Sequence, residues 1–167
     1  LNHLDDLKSI NTKNIDLVVV NLYPFEKMIS ENLDFDKLIE YIDVGGPSMI
    51  RAAAKNFKHV TVLCSPNFYD DFILDFSKSD GNLSLDIKKK FASKVFLETS
   101  KYDSLIFKEF SKTKESDNTH EGLNINLTKS FNLRYGENPD QKASFYTDLT
   151  SSCFEQLSGK KLSYNNF

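Results

Sequence analysis

Two short apolar runs rich in β-branched residues, DLVVVNL (Asp16–Leu22) and VTVLC (Val60–Cys64), constrain this chain more than any other feature. Unbroken runs of that length suit parallel strands buried on both faces. Parallel strands cannot be joined by a tight turn and need a crossover, usually helical. The residues between the runs supply it. Phe35, Leu38, Ile39 and Ile42 fall on one helical face over Asp34–Ile42, with Asp34 and Asp36 in the first turn where the helix dipole favours negative charge. Asp43-Val44-Gly45-Gly46 breaks that helix, and Pro47 suits the first position of another that runs to about Lys58. After the second run, Ser65 caps and Pro66 opens a helix with Phe68, Tyr69, Phe72, Ile73 and Phe76 as its apolar stripe. SDGN (Ser79–Asn82) is a turn. Ser84 to about Lys112 reads as one long helix or two, with Ile87, Phe91, Val95, Tyr102, Ile106 and Phe110 as its stripe. The expected fold is α/β with a parallel sheet. TKESDNTHE (Thr113–Glu121) is polar and reads as a linker. Beyond it, Asn124–Tyr146 has strand-like pieces around a turn at Gly136-Glu137-Asn138-Pro139, so a second unit begins near residue 122.

A length of 167 residues allows one medium domain, or one domain and part of another. Fourteen phenylalanines and no tryptophan point to a core filled by Phe. The net charge of -3 argues against a nucleic-acid partner, which requires a basic face. No apolar run approaches the roughly 20 residues that cross a bilayer. Cys64 ends an apolar run, so a buried reduced thiol is expected rather than a disulfide with Cys153. Without a secretory signal, a cytoplasmic location is expected. His3, His59 and His120 are scattered without metal-ligand spacing, and no phosphate-binding glycine motif or nucleophile elbow is present. The chain begins at Leu1 and ends on SYNNF, and reads as an excerpt of a longer protein.

IDVGGPSMIRAAAKN (Ile42–Asn56) concentrates the chemistry. In the helix from Pro47, residues Met49, Ile50, Ala53, Ala54 and Phe57 share a core side, while Ser48, Arg51 and Lys55 share another. Arg51 and Lys55 stand four apart, a spacing that costs a few tenths of a kcal/mol for like charges unless an anion answers them. A solvated face is the bland reading of that pair. Gly45-Gly46 lets backbone approach a ligand, and the helix start behind it offers free N–H groups. Asn21 and Tyr23 follow the first strand at its carboxyl end, where open α/β sheets bind ligands. A carboxylate (Asp43), a phenol (Tyr23) and an amine (Lys55) can move protons and steady an oxyanion. Lys55 lies about 12 Å beyond Pro47 along the helix, so whether it shares a cavity with Asp43 is a tertiary question.

VVNLYPF (Val19–Phe25), IDVGGPSMIRAAAKN, VTVLCSPNFY (Val60–Tyr69), LRYGENPDQKASFY (Leu133–Tyr146) and GKKLSYNN (Gly159–Asn166) occur in that order. The series closely resembles the bifunctional purine-biosynthesis family AICAR transformylase/IMP cyclohydrolase. The resemblance covers nearly the whole chain. It implies that residues 1–122 are the C-terminal portion of a methylglyoxal-synthase-like cyclohydrolase domain. Residues 123–167 would then start a cytidine-deaminase-like transformylase domain. The implied reactions are formyl transfer from 10-formyltetrahydrofolate to AICAR and dehydrative closure of formyl-AICAR to IMP. A cytosolic homodimer is implied, as is a ring-closing step without metal or organic cofactor.

Carried over by position, the resemblance makes Tyr23, Asp43 and Lys55 the catalytic residues of ring closure. Asp43 would take the attacking nitrogen's proton, Lys55 would steady the oxyanion and help water depart, and Tyr23 would orient the formyl group. Asn21 and the Val44-Gly45 backbone would read the base edge, with Gly46 and Arg51 also against substrate. Arg134 and Tyr135 match AICAR-binding positions of the transformylase. Asp140 departs from the pattern, since the family has histidine after RYGENP, and a carboxylate cannot donate like an imidazole. The family's N-terminal phosphate-binding segments and a second active-site lysine would lie upstream of Leu1, and most of the transformylase downstream of Phe167. Such an excerpt would bury a reduced core and be a poor enzyme alone. Two rival readings stand beside this one: a silent ligand-binding module of the same fold, and an interaction fragment without chemistry.

Overall fold

The computed structural model describes residues 3–112, 122, 124–147 and 156–166. The expected linker 113–121, His120 and Cys153 lie outside the described residues. The chain divides into two compact units, Leu1–Lys114 and Glu115–Phe167.

In the first unit, β1 (Leu17–Val19) pairs in parallel with β2 (Thr61–Leu63), Leu17 opposite Thr61 and Val19 opposite Leu63. The ladder continues as the Val20 N–H donates to the Leu63 carbonyl at 3.0 Å. A short helix α1 (His3–Ser9) precedes the strands. The crossover between them holds α2 (Phe25–Ser30), α3 (Phe35–Ile39) and α4 (Gly45–Lys55). After β2 come a 3-10 turn at Pro66–Phe68, α5 (Tyr69–Lys78) and α6 (Leu85–Phe110). Ser65 and Ser84 cap as their positions suggest: their hydroxyls accept the N–H groups of Asn67 and Ile87, each at 3.3 Å.

Two apolar clusters hold this unit together. The first joins Ile50, Ala53 and Ala54 of α4 to Val60, Val62 and Cys64 around β2 and to Ala92 and Val95 of α6. The second joins Phe25 and Met28 of α2 to Leu38 of α3 and Tyr102 of α6. Residues 18, 20 and 22 pack inward while Leu17 and Val19 face outward, the period of two that a pleated strand imposes. Burial pushes the Cys64 thiol up to about 11, and Cys64 is free, as its place at the end of a buried strand implies.

Several expectations need correction. The first strand is three residues rather than Asp16–Leu22, and it is not buried on both faces: Leu17 and Val19 are 40% and 47% exposed. Among the described residues only β2 pairs with β1, and the helices cover one face. The helix expected from Pro47 begins two residues earlier at Gly45, because the Asp43 carboxylate accepts the Gly46 N–H and organises the first turn. It ends at Lys55, and Met49, assigned to its core side, is 54% exposed. The apolar stripes of α3 and α5 are only partly used: Phe35, Ile39, Ile73 and Phe76 are exposed. The long helix is continuous, with Phe91, Val95 and Tyr102 buried but Phe110 exposed.

In the second unit, β3 (Thr128–Asn132) pairs antiparallel with β4 (Ser144–Thr147), with a register shift between Lys129 and Phe131. Residues 133–143 form the connection around the expected turn. A 3-10 turn at Tyr164–Asn166 follows.

Ile50 is fully buried, so Ile50→Ala should cost about 2–5 kcal/mol in denaturant unfolding. Met49→Ala, one position away on the exposed side, should stay within about 0.5 kcal/mol. Equal losses would contradict the assigned helix face.

Candidate functional site

The site grows from the start of α4. Asp43 lies two residues before the helix, and its Oδ1 accepts the Gly46 N–H at 2.7 Å. This is the i to i+3 arrangement by which a side chain satisfies an orphan donor of a first helical turn. The carboxylate folds so closely over Gly46 that an added Cβ there would overlap Oδ2. Any side chain at 46 would therefore displace the Asp43 carboxylate, whereas a Cβ at Gly45 would meet open space. The main chain of Asp43 is held as well. Its N–H donates to the Tyr102 hydroxyl at 2.7 Å, and that hydroxyl donates to the Tyr41 carbonyl at 3.3 Å. Burial pushes the Tyr102 phenol up; the bond from Asp43 N–H opposes this, and the charges of Asp43 and Asp103 reinforce it. The phenol thus stays protonated and keeps both bonds.

Asn21 and Tyr23 leave the carboxyl end of β1. The Asn21 Oδ1 accepts the Tyr69 hydroxyl at 3.0 Å, so α5 fixes the amide. Tyr23 is 58% exposed. Five residues, 56–60, join α4 to β2, so the Lys55 end of α4 lies toward the amino end of β2. The Gly45 end then lies toward the carboxyl ends of the strands, the side from which Tyr23 departs. Arg51 is on the exposed side of α4, and its Nη1 stands 3.5 Å from the hydroxyl of buried Thr99 on α6. Val44 is 73% exposed and Gly46 buried.

Asp43, Val44, Gly45 and Gly46 are thus together at one end of α4, while Lys55 is at the other. About 15 Å of helix axis separates Gly45 from Lys55. Lysine leans back toward the helix start. Even so, a ligand touched by both Asp43 and Lys55 must lie along the stripe of Ser48, Arg51 and Lys55, all three exposed. The assignment of Tyr102 to a plain core stripe missed its polar role, and Thr99 was not singled out. A hydroxyl among buried apolar residues was the available signal, because it must find a partner.

In the second unit, the Arg134 N–H donates to the Leu162 carbonyl at 2.8 Å, and the Tyr164 N–H to the Tyr135 carbonyl at 3.3 Å. Residues 134–135 are thereby tied to the segment around Leu162. The Arg134 guanidinium lies 5.3 Å from the centre of the Tyr135 ring. Gly136 N–H donates to the Gln141 carbonyl at 2.7 Å, closing the turn that presents Asp140 to solvent. A hollow of about 350 Å³ in this unit is lined by Phe131, Asn132, Gln156, Lys161 and Leu162. No group of three or more His, Cys, Asp or Glu that could hold a metal occurs among the described residues. No described helix is long and apolar enough to cross a membrane.

A sequence model described as AICARFT/IMPCHase bienzyme matches residues 53–167, and one described as MGS-like domain matches residues 2–48. Bifunctional purine biosynthesis protein PurH of Clostridium acetobutylicum is 46% identical over 98% of the chain and 33% of its own length. The protein of the same name from Fusobacterium nucleatum is 45% identical over 98% of the chain and 32% of its own length. The chain spans about a third of the length of these curated relatives. A solved structure titled "Crystal structure of ForH" is 32% identical, with a TM-score of 0.54 over 64% of this chain and 56% of that one. The MGS-like match and the parallel α/β unit accord with the fold expected for the first part of the chain.

Gly46→Ala should push the Asp43 carboxylate off the first turn, costing about 1 kcal/mol in denaturant unfolding. Gly45→Ala should be neutral or stabilising by up to about 1 kcal/mol. If the two substitutions behaved alike, the closed carboxylate would not be the feature that requires glycine.

Proposed function

Because the chain belongs to the AICARFT/IMPCHase bienzyme family, we propose that the polypeptide containing it performs the last two steps of de novo purine synthesis. The first step moves a formyl group from 10-formyltetrahydrofolate to the AICAR amine. The second closes formyl-AICAR to IMP with loss of water. Residues 1–122 are assigned to the cyclohydrolase domain and residues 123–167 to the start of the transformylase domain. The observation that carries the ring-closing assignment is the Asp43 carboxylate, fixed at the start of α4 beside two glycines.

In this reading the carboxamide nitrogen attacks the formyl carbon while Asp43 accepts its proton. Tyr23 orients the formyl oxygen, and the Val44-Gly45 backbone with Asn21 reads the base edge. Arg51 and Lys55 supply positive charge along the α4 stripe. The position of Lys55 at the far end of α4 gives its role two separable forms. As the cation that steadies the oxyanion, Lys55 must reach back along the stripe. As a contact to the distal end of a substrate laid on the stripe, it acts in binding. Arg134 and Tyr135 bind AICAR in the transformylase step. Ring closure is assigned no metal or organic cofactor, and 10-formyltetrahydrofolate is a cosubstrate. A cytoplasmic homodimer that binds no nucleic acid and no membrane completes the proposal.

With formyl-AICAR as substrate for the full-length polypeptide, Asp43→Asn should lower kcat about 10²–10⁴-fold. Lys55→Ala should lower kcat if the ammonium meets the oxyanion, and raise KM with kcat retained if it holds the distal end. Wild-type kinetics in both variants would remove the assignment. In formyl transfer, Asp140→His should raise the rate at least about tenfold if a histidine there assists proton transfer. An unchanged rate would mean that this position takes no part.

A further inference from the structure

We propose that Tyr102 is a positioning residue for ring closure, its hydroxyl holding the Tyr41–Asp43 segment so that the Asp43 carboxylate stays over the first turn of α4. The inference rests on Asp43 serving as the proton acceptor. Tyr102 lies in the C-terminal half of α6 and is 7% exposed. Its hydroxyl accepts from the Asp43 N–H at 2.7 Å and donates to the Tyr41 carbonyl at 3.3 Å. One hydroxyl therefore satisfies a donor and an acceptor two residues apart, and a phenylalanine would leave both without it.

The ring has a fixed seat. It packs against Phe25 with centroids 6.0 Å apart, in the cluster that includes Met28 and Leu38. The hydroxyl is thus set by the core, not by a surface rotamer. Asp43 is gripped from two sides: its main chain by Tyr102 and its carboxylate by the Gly46 N–H. Loss of the phenol oxygen leaves the second grip intact. The expected result is a carboxylate displaced by a fraction of an ångström on a folded helix. Displacements of that order at a reacting group cost rate rather than binding.

The test compares Tyr102→Phe, Asp43→Asn and the double variant in the full-length polypeptide, with formyl transfer as an internal control. Tyr102→Phe should lower kcat for ring closure about 10- to 100-fold with KM and formyl transfer unchanged. The double variant should be no slower than Asp43→Asn alone, because Tyr102 acts through Asp43. In the unsubstituted protein, the Asp43 amide should exchange with solvent as slowly as core amides of α6. Wild-type ring closure in Tyr102→Phe, with Asp43→Asn impaired, would overturn this inference and leave the role of Asp43 standing. Full activity in Asp43→Asn would overturn both. An unprotected Asp43 amide, or losses that multiply in the double variant, would also overturn it.

Discussion

The packing of α4 against β2 and α6 is the constraint from which the first unit follows. The inward face of α4 is Ile50, Ala53 and Ala54, and α6 answers with Ala92 and Val95. The methyl side chains of Ala53, Ala54 and Ala92 let helix and helix, and helix and strand, approach closely enough to exclude water. Burial of that face fixes the rotation of α4 about its axis. Ser48, Arg51 and Lys55 are then turned outward. The same packing brings the start of α4 to the carboxyl end of a parallel pair, where α/β proteins place ligands.

α6 links the two apolar clusters, since Ala92 and Val95 belong to one and Tyr102 to the other. Its buried surface also carries two hydroxyls. A buried hydroxyl without a partner is costly, so each must be answered. Tyr102 is answered by main-chain groups of Tyr41 and Asp43, and Thr99 by the Phe96 carbonyl and the Arg51 guanidinium. The bonds that satisfy the Tyr102 hydroxyl are therefore the ones that hold the Tyr41–Asp43 segment. The main chain of Asp43 is supported by a helix more than forty residues away in sequence.

The parallel α/β character, the long helix and the hairpin of the second unit were all legible in the sequence. They rest on local signals: β-branched runs, helical periodicity, and serine caps at Ser65 and Ser84. Exposure was less legible. Whether Leu17, Val19, Phe35 or Ile73 is covered depends on what packs over it, and a local pattern does not carry that. The start of α4 was misplaced because a carboxylate, not proline geometry, organises its first turn. The residue types of the candidate site were legible from NLYPF and IDVGGP together. The clamp on Asp43 was not, because Tyr102 lies far along the chain and sits at an ordinary core position of its stripe. The distance between Asp43 and Lys55 was legible as helix length, but its consequence required knowing which end of α4 faces the strand tips.

The most direct test of the account is a crystal structure of the full-length polypeptide with IMP bound. The account predicts the purine against the start of α4, with the Asp43 carboxylate and the Tyr23 hydroxyl within about 2.6–3.2 Å of the ring atoms formed in closure. The Tyr102 bond to the Asp43 N–H should be intact. A nucleotide seated elsewhere in the domain, with Asp43 still closed over Gly46 and touching no ligand atom, would contradict it.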